Sequence, residues 1–91
     1  MLSDIKMEDI ENQIIKILCE MTGREEGEIK KDAHFYKDLG IDSIKGIELI
    51  VSLHQKLNIQ IPDYKIPELY SVNKVAEEVK RLFIQKQPKD S

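Results

Sequence analysis

Apolar residues recur at helical spacing in three stretches of the chain, separated by two stretches in which the period is lost. In the first, Ile10, Ile14, Ile17, Leu18 and Met21 share one stripe when residues are placed at about 100° per position. Glu8, Asp9 and Glu11 occupy the first turn, where the helix dipole favours acids. The pattern predicts a helix starting near Met7 or Glu8, after Ser3 and Asp4, and ending at Thr22-Gly23 in a left-handed glycine cap. Ile15 and Cys19 are expected to point away from its buried stripe.

The second periodic stretch runs from Ile44 to Leu57 and carries two apolar stripes. Leu49, Ile50, Leu53 and Leu57 cluster on one side, while Ile44, Ile47 and Val51 cluster roughly opposite. A small domain needs only the first stripe for its core, so the second reads as a docking surface or as incidental surface hydrophobicity. In the third stretch Val72, Val75, Ala76, Val79, Leu82 and Phe83 form one stripe, with Ser71 as the N-cap candidate. The polar residues Gln85 to Ser91, with Pro88, are expected to be a disordered tail.

From Arg24 to Asp42 single apolar anchors, Ile29, Phe35 and Leu39, stand among charges, which predicts a long loop that packs down on the core. Loops of this length in small domains tend to be functional. Asn58-Ile59-Gln60-Ile61-Pro62-Asp63 reads as an extended linker with Ile59 or Ile61 plugging the core. Pro67 suits the first turn of a short helix through Leu69 or Tyr70. The expected fold class is therefore all-α: a small four-helix bundle of three longer helices and one short one, a single domain over 1–91 with an ordered core of about 7–84.

Composition narrows the function classes. Hydrophobic residues make up 41% and charged residues 34%, which fits a soluble helical domain rather than a disordered chain. The net charge of -3 and the absence of a basic stripe or any Trp argue against nucleic acid as a partner. Cys19, alone, cannot form an internal disulfide, no apolar run approaches a membrane span, and Met1-Leu2-Ser3-Asp4 begins nothing like a signal peptide. The expectation is a cytoplasmic monomer.

The chemistry concentrates at one junction, Asp38-Leu39-Gly40-Ile41-Asp42-Ser43-Ile44. Gly40 supplies a turn, and Asp42 or Ser43 can cap the helix that follows. Helix N-termini favour phosphate, so a hydroxyl there is well placed to carry a phosphodiester, and a neighbouring carboxylate can help hold Mg2+ against phosphate oxygens. The plainer reading is that Asp42-Ser43 only caps the helix. Elsewhere, no base accompanies Cys19, no metal-ligand spacing surrounds His34 or His54, and no catalytic constellation emerges, so both histidines read as surface or packing residues. Gly46 costs a helix interior about 1 kcal/mol relative to Ala. Close approach of a partner or a pendant chain is one account of it, and tolerated drift is the other.

Leu39-Gly40-Ile41-Asp42-Ser43-Ile44, then Ile47-Glu48-Leu49, then Ile59-Gln60-Ile61-Pro62-Asp63, closely resembles the phosphopantetheine-binding carrier proteins, of which acyl carrier proteins are the best known. Gly23, Ile29, Phe35 and Val72 also sit where such proteins place similar residues, and the resemblance spans Ile10 to Phe83. It implies an acyl-carrier-like bundle in which Ser43, with Asp42 beside it, carries 4'-phosphopantetheine donated by coenzyme A through a phosphopantetheinyl transferase. The arm would hold acyl groups as thioesters, and the protein itself would catalyse nothing. Its implied partners are an acyltransferase or acyl-activating enzyme, a ketosynthase and other synthase enzymes, met through Ile44, Ile47, Glu48 and Val51. Longer cargo is expected to insert between the central helix and the short segment after it.

Carriers of dissociated fatty acid synthesis usually place an acidic residue two positions after the serine, where this chain has Lys45. Asp-Ser-Ile-Lys looks more like the carrier domains of polyketide or polyunsaturated fatty acid synthases. Polyketide or specialised lipid synthesis is therefore expected, with primary fatty acid synthesis, aminoacyl carriage or a cofactor-free interaction module as alternatives.

Overall fold

Gly23 ends the first helix as its position predicts. In the computed structural model, which describes residues 6–86, helix α1 spans Met7–Thr22 and Gly23 follows at φ 77°. A side chain would strain that left-handed backbone, and the conformation lets the Gly23 N–H donate to the Cys19 carbonyl at 2.9 Å. The other α-helices are α2, Ser43–Leu57, and α3, Val72–Lys86. Two 3-10 segments, Glu26–Glu28 and Asp63–Glu68, complete the all-helical fold, and the longer one takes the place of the short fourth helix.

Residues 24–42 pack down through their anchors. Ile29, Phe35 and Leu39 are buried, as is Ile41, which the sequence reading did not single out. Polar ties close the loop on itself and hold it to both outer helices. Arg24 Nη2 donates to the Leu39 carbonyl at 3.1 Å, and Lys31 pairs with Glu11 of α1 at 2.9 Å. The Asn73 N–H, at the start of α3, donates to the Lys31 carbonyl at 3.0 Å, and the Phe35 N–H donates to the Tyr70 carbonyl at 2.8 Å. This covering corrects one expectation: Ile15 is buried, not turned to solvent. The cleft it lines is shared with Gly27, Ile29 and Asn73, so the packed loop gives α1 a second apolar contact.

Asn58 closes α2 in the left-handed region at φ 53°, a conformation Asn tolerates better than most residues. Ile59 and Ile61 of the extended linker both reach the core. His54 is a packing histidine, because its Nε2 accepts the Ile61 N–H at 2.9 Å and fixes the linker against α2. The short helix begins earlier than expected, at Asp63 rather than near Pro67. Pro62, held at φ -62°, presets the turn, and its carbonyl accepts the Lys65 N–H at 3.0 Å. Pro67 then sits near the segment's end, where its missing N–H interrupts no α-helical ladder.

Ser71 caps α3 as predicted: its Oγ accepts the Lys74 N–H at 3.2 Å and its carbonyl accepts the Val75 N–H at 3.0 Å. Gln85 lies in α3, not in a tail, since no breaker precedes Pro88; the rest of the expected tail, and Ser3 and Asp4, lie outside the described residues. Ile14 and Leu18 of α1, Leu49 and Leu53 of α2, and Val75 and Val79 of α3 are fully buried together. Each contributes roughly 1.5–3 kcal/mol relative to exposure, which fixes the face each helix turns inward. Among the described residues one charged side chain is also buried. Glu78 is 4% exposed and receives Arg81 Nε at 3.1 Å and Arg81 Nη2, with Lys65 of the second 3-10 segment 3.8 Å away.

Candidate functional site

The start of α2 is built by three successive residues. Gly40, at φ 66°, reverses the chain, which only a residue without a side chain does at little cost. Ile41 then anchors in the core, and its N–H donates to the Phe35 carbonyl at 2.8 Å. Asp42 is the N-cap: its Oδ1 accepts the Lys45 N–H at 2.9 Å, and its carbonyl accepts the Gly46 N–H at the same distance. Of the two capping candidates in the sequence, the cap is Asp42, and Ser43 is the first residue of the helix.

Ser43 is consequently exposed, and among the described residues no hydrogen bond engages its hydroxyl. The N–H groups of Ser43 and Ile44 precede the first residue whose intrahelical bond can form, so they stand unpaired at the positive end of the helix dipole. Asp42 Oδ2 likewise has no hydrogen-bond partner among the described residues. Hydroxyl, unpaired amides and carboxylate suit a phosphodiester and an accompanying cation. Among the described residues no group of three or more His, Cys, Asp or Glu side chains could itself hold a metal ion.

From Ser43 the exposed stripe of α2 runs outward. Ile44, Ile47 and Val51 are 68%, 52% and 45% exposed, Lys45 and Glu48 are exposed beside them, and Leu49, Ile50 and Leu53 face the core. Both predicted stripes are therefore present, and the outer one is uncovered in the chain by itself.

A pocket of about 580 Å3 opens beside Ser43. Its α2 wall is Ser43, Gly46, Ile47, Leu49 and Ile50, and Ile66, Pro67 and Leu69 close it on the side of the second 3-10 segment. This lies between the central helix and the short segment, the region where longer cargo is expected to insert. His34, Phe35, Tyr36, Ile41, Asp42 and Tyr70 complete the lining.

His34 thus comes to the site, which spacing along the chain did not reveal. Its ring stacks on Tyr70 at 5.1 Å between centroids, 15° from parallel, and Lys74 Nζ stands 5.8 Å from the centre of the Tyr70 ring. His34 Nδ1 accepts the Tyr36 and Lys37 N–H groups at 3.1 and 3.2 Å, and the His34 N–H donates to Asp38 Oδ2 at 2.8 Å. The only available signal was the capping chemistry of a His-x-x-x-Asp turn, which sequence spacing cannot distinguish from surface polarity. Cys19 does not line this pocket, and burial first, then Glu26, Glu28, Glu20 and Glu25, raise its thiol above the ordinary range.

No helix among the described residues is long and apolar enough to cross a membrane. A family model described as "Phosphopantetheine attachment site" matches residues 12–79. That span holds α1 from its second turn, the loop, α2, the second 3-10 segment and α3 up to Val79.

Proposed function

The chain belongs to the family of phosphopantetheine-carrying proteins that this attachment-site model describes, and on that premise we propose that Ser43 is the attachment residue of an acyl carrier. The observation that carries the reading is the Ser43 hydroxyl, exposed and without a hydrogen bond among the described residues at the head of α2, inside the matched region. Carrier domains of this family work with transferases and synthase enzymes, and no catalytic family is indicated for the chain.

Attachment joins Ser43 Oγ to the phosphorus that bears the pantetheine arm of coenzyme A. The pyrophosphate bond breaks, the nucleotide leaves, and the hydroxyl proton passes to the transferase. When bound, the arm supplies a terminal thiol that holds an acyl group as a thioester. With the arm attached, the unpaired N–H groups of Ser43 and Ile44 would favour the phosphodiester, and Asp42 Oδ2 would offer a carboxylate oxygen to the cation that accompanies transfer. Ile44, Ile47 and Val51, with Glu48 among them, present the apolar strip to successive enzymes, and brief docking permits exchange between them. The pocket beside Ser43 receives the acyl chain between encounters.

The pathway we infer is polyketide or specialised lipid synthesis. Supporting it is the exposed Lys45, which places a cation where a strongly acidic helix would steer a basic partner. Incubation with coenzyme A, Mg2+ and a broad-specificity phosphopantetheinyl transferase is expected to add one phosphopantetheine mass to the parent and none to Ser43→Ala. An increment on both proteins would reject Ser43, and a folded parent that resists several such transferases would favour a cofactor-free interaction module.

A further inference from the structure

The pocket beside Ser43 has two chemically different sides. Its α2 wall beyond Ser43 is apolar or bare, with Gly46, Ile47, Leu49 and Ile50; Asp42 adds a carboxylate beside Ser43, and the lining side chains that can donate hydrogen bonds away from that junction are His34, Tyr36 and Tyr70. His34 is held by contacts on its backbone and on its ring. Its Nδ1 accepts two backbone N–H groups, its own N–H donates to Asp38, its carbonyl accepts the Asp38 and Leu39 N–H groups, and its ring lies against Tyr70. With Nδ1 used as an acceptor, the ring proton of the neutral imidazole resides on Nε2, which has no hydrogen-bond partner among the described residues. A fixed N–H donor therefore stands on the rim, stacked on a phenol that is a second donor.

Across the pocket, Gly46 lies one turn after Ser43. A Cβ built there meets nothing within 4 Å, so no packed neighbour requires a glycine, and its φ is not in the left-handed region. Gly46 lines the pocket, so a side chain there would take up space beside Ser43 that glycine leaves empty.

We propose that Gly46, His34 and Tyr70 are the specificity-determining residues of this pocket. Gly46 keeps the mouth open, and the stacked pair recognises an acyl chain that bears a β-oxygen, a β-hydroxyl or β-oxo group, in preference to the fully reduced chain of equal length. The thioester carbonyl and the β-oxygen present two nearby acceptors to the two donors, and the aliphatic end reaches the apolar wall of Ile50, Ile66 and Leu69. This inference rests on the carrier reading of Ser43.

The test loads hexanoyl and β-hydroxyhexanoyl groups from their coenzyme A thioesters, with intact mass measured first. A failure to load would count against the carrier reading, and everything after loading bears on selectivity alone. The rate at which hydroxylamine cleaves each thioester is then compared among the parent, His34→Asn, Tyr70→Phe and Gly46→Ala, with amide shifts of Leu49, Ile50 and Leu69 as a second reading. Asn keeps a side-chain acceptor for the Tyr36 and Lys37 N–H groups while removing ring and Nε2–H, which separates loop support from recognition. The parent is expected to protect the β-hydroxy cargo about fivefold better than the reduced one, the ratio that one net hydrogen bond supports. His34→Asn is expected to abolish that preference and Tyr70→Phe to diminish it. Gly46→Ala is expected to raise Tm, since Ala is the better helix former, while it shortens the lifetime of both thioesters. Equal protection of the two cargoes in the parent, a preference that survives in His34→Asn, or unchanged lifetimes in Gly46→Ala would overturn the proposal.

Discussion

Two substitutions at Asp42 separate its structural and chemical duties. Asp42 Oδ1 accepts the Lys45 N–H at 2.9 Å, which satisfies one of the orphan donors at the start of α2. Asp42→Ala removes that bond, and loss of an N-cap of this kind costs about 1 kcal/mol. In a domain of this size that lowers Tm by roughly 4–8 °C. Asp42→Asn keeps an oxygen acceptor and caps about as well, so its Tm is expected within about 2 °C of the parent. The two variants differ in stability but share the loss of the carboxylate. If Oδ2 helps hold the cation during transfer, both are expected to be modified at least about tenfold more slowly, since a neutral amide is a poorer ligand for Mg2+. Thermal unfolding by circular dichroism gives the first quantity, and the time course of the phosphopantetheine mass increment gives the second. Asp42→Asn modified at the parent's rate would refute the cation role and leave Asp42 as a cap alone.

Three further outcomes are expected. Arg81→Ala should lower the urea midpoint more than Glu78→Leu, because the first strands a buried carboxylate with only Lys65 nearby, whereas the second removes the charge and leaves cations that reach water. The reverse order would show that the network is held by something other than the buried acid. Ile47→Glu should change stability by no more than about 0.5 kcal/mol, since the side chain is 52% exposed, yet reduce the transferase kcat/KM about tenfold; an unchanged kcat/KM would remove Ile47 from the docking strip. Cys19, its thiol raised by burial and by nearby glutamates, should react with iodoacetamide more slowly than a free thiol at pH 8. Because its folded value lies above the unfolded one, its contribution to stability is fully present below the ordinary thiol range and lost as pH rises through the folded value.

Most of the fold was legible because its helices announce themselves chemically. Gly23 and Ser71 bound α1 and α3 where capping chemistry requires, and the two stripes of α2 separate on the helical period alone. What stayed hidden depends on contacts between elements. Ile15 reads as exposed on its own helix and is buried because a loop with no period lies over it. The short helix begins at Pro62-Asp63 because an i→i+3 turn needs only a local bond to the Pro62 carbonyl, which leaves no amphipathic stripe to detect. Capping and helix-terminus chemistry put Asp42 and Ser43 at the head of α2, where the structure has them. His34 and Tyr70 were not paired, since residues far apart in sequence meet only once the Phe35 N–H joins the Tyr70 carbonyl and brings their rings together.

The claim on which this account depends is that the Ser43 hydroxyl is the attachment point, and trypsin provides a direct way to examine it. Cleavage after Lys37 and Lys45 releases Asp38–Lys45, in which Ser43 is the only hydroxyl side chain. Fragmentation of that peptide from protein treated with coenzyme A and transferase is expected to show the phosphopantetheine increment on Ser43. An increment carried by any other peptide, with Asp38–Lys45 recovered unmodified, would contradict the account.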